Sequence, residues 1–258
     1  MHLRETFNSV PELYDRARPE YPDALYETLR ALTGLSAGAR VLEIAPATGK
    51  ATAALARQGY KVTAVEMGEA LAAVAQRNLA AYSNVSIEVS RFEDWPLPDE
   101  AFDLVCCATA FAWLDPAVRL QRCAEALRPG GYLAIWDTHH VAGGTTQFFP
   151  DSQECYERWM PGTEPGIRLT PSELIEPADY GILEHPAFEA LEIRRFDWEV
   201  TYTTQTYLDV LATYSNHIAL GSENYEGLFG CIRSLIDGRY GGTVTKGYTA
   251  LLQLARRR

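Results

Sequence analysis

The sequence predicts an α/β fold in which a doubly wound, mostly parallel sheet is covered by helices. Three observations lead there. Between Val41 and Trp136, short β-rich apolar runs alternate with helical patterns, the signature of βαβ units. Runs such as VLEIA and FDLVCCA are nearly unbroken apolar stretches, as strands covered on both faces require. The chain has 258 residues, 47% hydrophobic and 22% charged, enough for a large core with an appendage.

Taken in order, residues 1–38 read as one or two helices broken by RPEYP (18–22), whose prolines enforce an extended bend. This segment is expected to form a helical lid. Residues 39–137 carry the core. Its strands are VLEIA (41–45), KVTAVE (61–66), VSIEVS (85–90), FDLVCCA (102–108) and YLAIWD (132–137); helices are expected over TAALARQG, ALAAVAQRNLAAY and AVRLQRCAEALRPGG. Residues 138–190, rich in Pro, Gly and aromatics, suggest an inserted cap. Residues 191–258 are expected to complete the sheet and the substrate side: LEIRRFDWEVTY alternates like a strand, 205–220 looks helical, and KGYTALLQLARR supplies a last strand.

A net charge of −11 repels phosphate backbones and anionic lipid heads, so nucleic acid and membrane surfaces are not expected partners. The C-terminal arginines 256–258 read as a solvated tail. Five cysteines without a CxxC pair, and odd in number, read as reduced core thiols. MHLRETFNSV lacks the apolar stretch of a signal peptide and no apolar run reaches the ~18 residues of a membrane helix, which predicts a cytoplasmic protein. Five scattered histidines and no HxxEH, CxxC or DxD cluster give no metal site.

The informative stretch is VLEIAPATGKAT (41–52), a strand entering a Gly-containing turn and then a helix. Such a turn lets backbone approach a ligand, and the helix start offers unpaired N–H groups. Glu66 ends the second strand 17 positions after Gly49 (66 − 49), near the ~20 expected of an acid that grips ribose hydroxyls. A carboxylate there favours a nucleoside and disfavours a 2′-phosphate. Dinucleotide dehydrogenases and S-adenosylmethionine (SAM) enzymes share these features, and a lone glycine motif does not choose between them.

Six segments taken together do. YDRARPEYP (14–22), VLEIAPATGKAT, VTAVEMG (62–68), RFEDWPL (91–97), FDLVCCATAFAWLD (102–115) and LRPGGYLAIWD (127–137) follow one another at the spacing of class I SAM-dependent methyltransferases. The chain resembles that Rossmann-like family, most closely the small-molecule branch that includes trans-aconitate methyltransferase-like proteins, over residues 7 to about 137. The resemblance implies SAM as cofactor, S-adenosylhomocysteine as product, no metal, and in-line methyl transfer to a small-molecule acceptor by a monomer or homodimer. It also implies roles. Glu43 and the turn Ala45, Ala47, Thr48 and Gly49 would hold the methionine part, Glu66 the ribose diol, and Met67 one face of adenine. Phe92 and Glu93 would contact adenine, Ala108 and Thr109 would lie beside the sulfonium, and Tyr14 would close over the cofactor. Relatives commonly carry glycine where Ala45 and Ala47 stand, and a histidine where Ala112 stands.

Acceptor candidates are Arg18, Phe111, Trp113 and His139, with His139 or His140 as a general base should a hydroxyl or amine be methylated; a carboxylate needs only orientation. The two alanines also motivate an alternative, a catalytically lapsed nucleoside-binding protein. An NAD-dependent oxidoreductase is disfavoured by the absence of GxGxxG and of a Tyr-x-x-x-Lys pair.

Overall fold

A computed structural model describes residues 7–99 and 101–258; the first six residues of the expected leader-free N-terminus lie outside the described residues. The chain divides into two compact units. The larger comprises Glu20–Thr138, Pro177–Phe196 and Ala250–Arg258; the smaller comprises residues up to Pro19, His139–Glu176 and Asp197–Thr249. The expected lid segment is therefore parted at Pro19, and the expected cap and C-terminal regions are each shared between units.

Seven strands form one sheet in the order β3-β2-β1-β4-β5-β7-β6. They are β1 (Arg40–Ile44), β2 (Lys61–Glu66), β3 (Val85–Val89), β4 (Phe102–Ala108), β5 (Leu127–Val141), β6 (Phe188–Thr203) and β7 (Thr243–Arg257). Pairings β1–β2, β2–β3, β1–β4 and β4–β5 are all parallel. The mostly parallel, doubly wound sheet is thus as expected. Its strand order reverses between β1 and β4, the switch point outside whose carboxyl ends ligands bind in such sheets.

In the larger unit α2 (Asp23–Thr33), α3 (Lys50–Arg57), α4 (Glu69–Asn78) and α5 (Arg119–Ala126) flank the strands. Their small apolar faces, such as Ala51, Ala54 and Leu55 on α3, are buried, and Leu42, Val105, Leu133 and Phe102 fill the core. The expected helix over 117–131 stops at Ala126. β5 starts at once, and Arg128–Gly131 bulge out, since Phe102 pairs with Leu127 but Leu104 with Tyr132. Asp103 holds the bulge, accepting from Arg128 Nε at 2.6 Å and from the Arg40 amide at 2.8 Å.

In the smaller unit lie α1 (Pro11–Ala17), α6 (Phe148–Trp159), α7 (Thr204–Leu211), α8 (Ser215–Ile218) and α9 (Ser222–Arg239). Helix 205–220 of the sequence reading is broken into α7 and α8, and α9 is a helix the reading did not contain. Two of the five cysteines are not free thiols: Cys155 of α6 and Cys231 of α9 form a disulfide. Cys106, Cys107 and Cys123 are free and buried, as expected. No helix among the described residues is long and apolar enough to cross a membrane.

Candidate cofactor site

β1 ends in the turn Ala45-Pro46-Ala47-Thr48-Gly49, which leads into α3. Three of its five residues are left-handed: Ala45 at φ 55°, Ala47 at φ 52° and Gly49 at φ 87°. In this conformation an alanine Cβ costs on the order of 1 kcal/mol, so at two alanines the backbone adopts a geometry that glycine takes freely. Hydrogen bonds hold it there. Ala45 N–H donates to the Val65 carbonyl at 2.9 Å, Gly49 N–H to that of Pro46 at 2.9 Å, and Ala47 N–H to Glu66 Oε2 at 3.0 Å. At Gly49 the left-handed φ calls for glycine, and a Cβ would also crowd the Leu79 Cδ1 methyl, which would have to shift. α3 has no side-chain cap, so its first N–H groups remain available beside the turn.

Beneath the turn, Glu43 is completely buried. Neither carboxylate oxygen has a hydrogen-bond partner, nor do the Thr48 and Thr52 hydroxyls. Burial pushes the Glu43 carboxyl up to about 7, opposed by the nearby Thr52 hydroxyl and reinforced by the charge of Glu66. A buried, unpaired carboxylate is costly unless a cation meets it. The orphaned acid under a strained, donor-rich turn fits the ammonium and carboxylate of an amino-acid moiety such as the methionine end of SAM.

Glu66 is buried too, at 4% exposure. Oε2 accepts from Ala47 and Oε1 from the Gly68 amide at 2.8 Å. Burial raises its pKa, while amides of Gly68, Ala47 and Met67 pull it down. Each oxygen retains acceptor capacity for a hydroxyl, but the acid also stitches two loops together. It is not a solvated strand end. Met67 follows, half-buried.

Phe92 is a core residue, 3% exposed, with Arg122 over its ring at 5.6 Å and donating to its carbonyl at 3.2 Å. Its ring is not open for the expected adenine contact. Glu93 accepts from the Asp115 amide at 3.1 Å and lies 3.7 Å from Arg91. Ala108 ends β4, and Thr109 follows at φ 57°, a conformation uncommon for a β-branched residue and of the kind that clusters at functional sites. Its amide donates to the Trp136 carbonyl at 2.7 Å, and its hydroxyl bonds Tyr21 Oη at 3.0 Å and Thr138 Oγ1 at 3.2 Å. Neither Tyr21 nor Thr138 is among the site residues expected from the sequence; Tyr21 belongs to the expected lid segment YDRARPEYP, which is its sequence signal.

Phe111 is fully buried between Tyr180, at 5.0 Å, and Arg119, at 4.9 Å. It is core and not an acceptor contact. Trp113 is 41% exposed. The remaining candidates belong to the smaller unit. Tyr14 meets Phe7 edge-on, and Arg18 lies 5.2 Å over its ring. Arg18 Nη2 donates to the Thr213 carbonyl at 3.0 Å. His139 and His140 are not in a loop, because β5 continues to Val141; as neighbours in a strand they point to opposite faces. His140 Nε2 bonds the Tyr214 hydroxyl at 3.1 Å. Burial, then Lys246 and Arg18, hold its pKa well below the usual range, so it is neutral at pH 7 and a weak base.

The structure thus brings Glu43, Ala45, Ala47, Thr48, Gly49, Glu66 and Met67 together at the carboxyl ends of β1 and β2, with Ala108 and Thr109 at the same edge on β4. Residues 42–135, which span this edge, match the methyltransferase domain family. This part of the chain is similar to methyltransferase domains. An uncharacterized methyltransferase of Mycobacterium tuberculosis is 35% identical over 138 residues, 52% of this chain and 52% of the relative. The demethylmenaquinone methyltransferase of Clavibacter sepedonicus is 29% identical over 167 residues, 62% of this chain and 65% of the relative. The chain spans about half the length of the first of these curated relatives. Among solved structures, a candidate type II methyltransferase from Anaeromyxobacter dehalogenans covers 93% of this chain and 97% of its own at 22% identity and TM-score 0.61. Haemonchus contortus phosphoethanolamine N-methyltransferase 2, solved with phosphomonomethylethanolamine and S-adenosylhomocysteine, covers 97% and 60% at 17% identity and TM-score 0.54. At these identities the structures show the fold, which is that of class I methyltransferase domains.

Proposed function

We propose that the chain is a SAM-dependent methyltransferase acting on a small-molecule acceptor. The observation that carries this reading is the unpartnered, fully buried Glu43 carboxylate beneath the left-handed turn. An acid so placed suits an amino-acid ammonium, and the matched family supplies the cofactor class. Bound SAM supplies a methyl group on a sulfonium, which carries its own driving force. The residues of the chain hold and align.

Glu43 is the counter-charge for the ammonium, and the turn from Ala45 to Gly49 presents backbone donors. Glu66 accepts the ribose hydroxyls with the lone pairs that Ala47 and Gly68 leave open. Met67 flanks the base, and Glu93 is the further contact of the Phe92–Glu93 pair. Thr109, held in its strained backbone by Trp136 and tied to Tyr21 and Thr138, fixes the edge of β4 beside the reacting end. Alignment and exclusion of water account for most of what such a displacement requires of a protein.

The test is transfer from methyl-labelled SAM to small carboxylic acids, phenols and amines, with products identified by mass. Label moved to one class of acceptor supports the reading. Binding of SAM and S-adenosylhomocysteine without transfer to any acceptor would favour a nucleoside-binding protein instead, and binding of neither would remove the assignment.

A further inference from the structure

The smaller unit contains a cleft of about 720 Å³. Its chemistry is one-sided. Arg18 and Lys246 both line it and both lie over the ring of Tyr214, at 4.5 and 5.6 Å from the centroid. Neither cation forms an ion pair among the described residues. Arg18 Nε is buried without a hydrogen-bond partner, and Lys246 is surrounded by the rings of Tyr207, Tyr214 and Tyr248, each at 5.6 Å.

Among the other titratable groups facing the cleft, the histidines and tyrosines add no negative charge at neutral pH. His140 is bonded to Tyr214, and His217 is held between Tyr156 and Asn216. Burial, followed by the charges of Lys246 and Arg18, lowers both imidazoles, His217 to about 4. The phenols of Tyr156, Tyr207 and Tyr214 are all raised by burial and stay protonated. Glu164 is the one carboxylate in the lining and lies exposed. Two like charges facing one pocket, neither of them ion-paired, repel each other in a medium that screens them poorly. Lys246 shows the consequence: burial and Arg18 pull its ammonium down to about 7. The walls meanwhile carry Phe149, Ile167, Met160 and Leu211.

We propose that this cleft is a binding site for a small organic acid, its anionic head between Arg18 and Lys246 and its apolar body against the aromatic and aliphatic wall. The anion replaces the missing counter-ion, and a neutral analogue does not. As an acceptor site this assignment rests on the methyl-transfer reading; as an anion site it stands without it.

The experiment reads binding alone, so the two fail separately. Phenylacetate, cinnamate and adipate, each beside its neutral amide, are titrated calorimetrically into the full chain at about pH 6 and pH 8.5. The expected result is that at least one acid binds about tenfold or more tightly than its amide at pH 6. Its affinity should fall toward pH 8.5 as Lys246 loses its proton. Lys246→Met and Arg18→Gln should each weaken the acid about tenfold or more, and Lys246→Arg should keep it. Should the variants misfold, amine acylation of Lys246 in the unmodified chain near pH 7.5, followed by peptide mass, serves instead: the acid should protect it and the amide should not. Equal affinity of acids and amides, no binding of any acid, or acylation indifferent to the acid would overturn the proposal.

Discussion

The Glu66 carboxylate accepts a hydrogen bond from the Ala47 backbone amide at 3.0 Å across 19 positions of sequence. One oxygen therefore holds the left-handed turn after β1 while the other holds the Gly68 amide at 2.8 Å. Glu66→Ala removes both and leaves two buried donors. It should weaken S-adenosylhomocysteine binding and also lower stability by about 1.5–3 kcal/mol, the range for losing hydrogen bonds to a charged group. Glu66→Gln, which keeps one acceptor, should lose less of both. Urea unfolding beside calorimetry checks this; stability unchanged in Glu66→Ala would contradict the clamp.

Ala47 at φ 52° makes Ala47→Gly an unusual substitution. At an ordinary φ it would cost about 0.5–1 kcal/mol through the looser unfolded chain. Here relief of the left-handed Cβ, about 1–2 kcal/mol, offsets that, and the variant should be as stable as the parent or slightly more so. Cofactor affinity should be equal or better. A clear loss of stability on denaturation would place Ala47 in another conformation.

Glu43 gives a pH signature. Its folded pKa of about 7 lies above the ordinary 4.5, so between these values the folded state holds a proton that the unfolded state has released. Its contribution to stability is therefore full below about 4.5 and is lost as pH rises toward 7. His217, lowered to about 4, acts in the opposite sense over part of that range, so the comparison must be with Glu43→Gln. The Tm of the variant minus that of the parent should rise as pH is raised from about 5 to 7.5. A constant difference would mean that Glu43 has an ordinary pKa.

Much of the fold was legible because β1 and β4 are covered on both faces and read as nearly unbroken apolar runs, and the Ala45–Gly49 turn and Glu66 were legible because chain order alone places them at one sheet edge. Other features depend on contacts that no local pattern encodes. α9 carries Gly227, Gly230 and Gly238, which lower helix propensity, yet it is held by packing in the smaller unit and by the Cys155–Cys231 link, whose partners are 76 positions apart. The depth of Phe92 and Phe111 was hidden for the same reason, since an aromatic beside a motif reads alike as core or as contact. Lys246 carries no sequence signal; only the fold brings it beside Arg18.

Packing on α9 makes a paired comparison possible. A Cβ at Gly227 would fall within the Trp159 indole, whereas one at Gly230 meets nothing within 4 Å. Gly227→Ala should destabilise by about 1–3 kcal/mol, the usual effect of overpacking. Gly230→Ala should stabilise by about 0.5–1 kcal/mol by restoring helix propensity. Denaturant midpoints of the two variants give the comparison, and equal effects would contradict the α6–α9 packing.

Glu43 is an acid without a counter-charge beneath the turn. Calorimetric titration of S-adenosylhomocysteine into the unmodified chain and into Glu43→Gln, in two buffers of different ionisation enthalpy near pH 7, tests it most directly. The unmodified chain should bind with release of a proton, because the incoming ammonium draws the Glu43 carboxyl down from about 7 into its charged form. Glu43→Gln should bind at least about tenfold more weakly and release none. Equal affinity of the two proteins, or no binding by either, would contradict it.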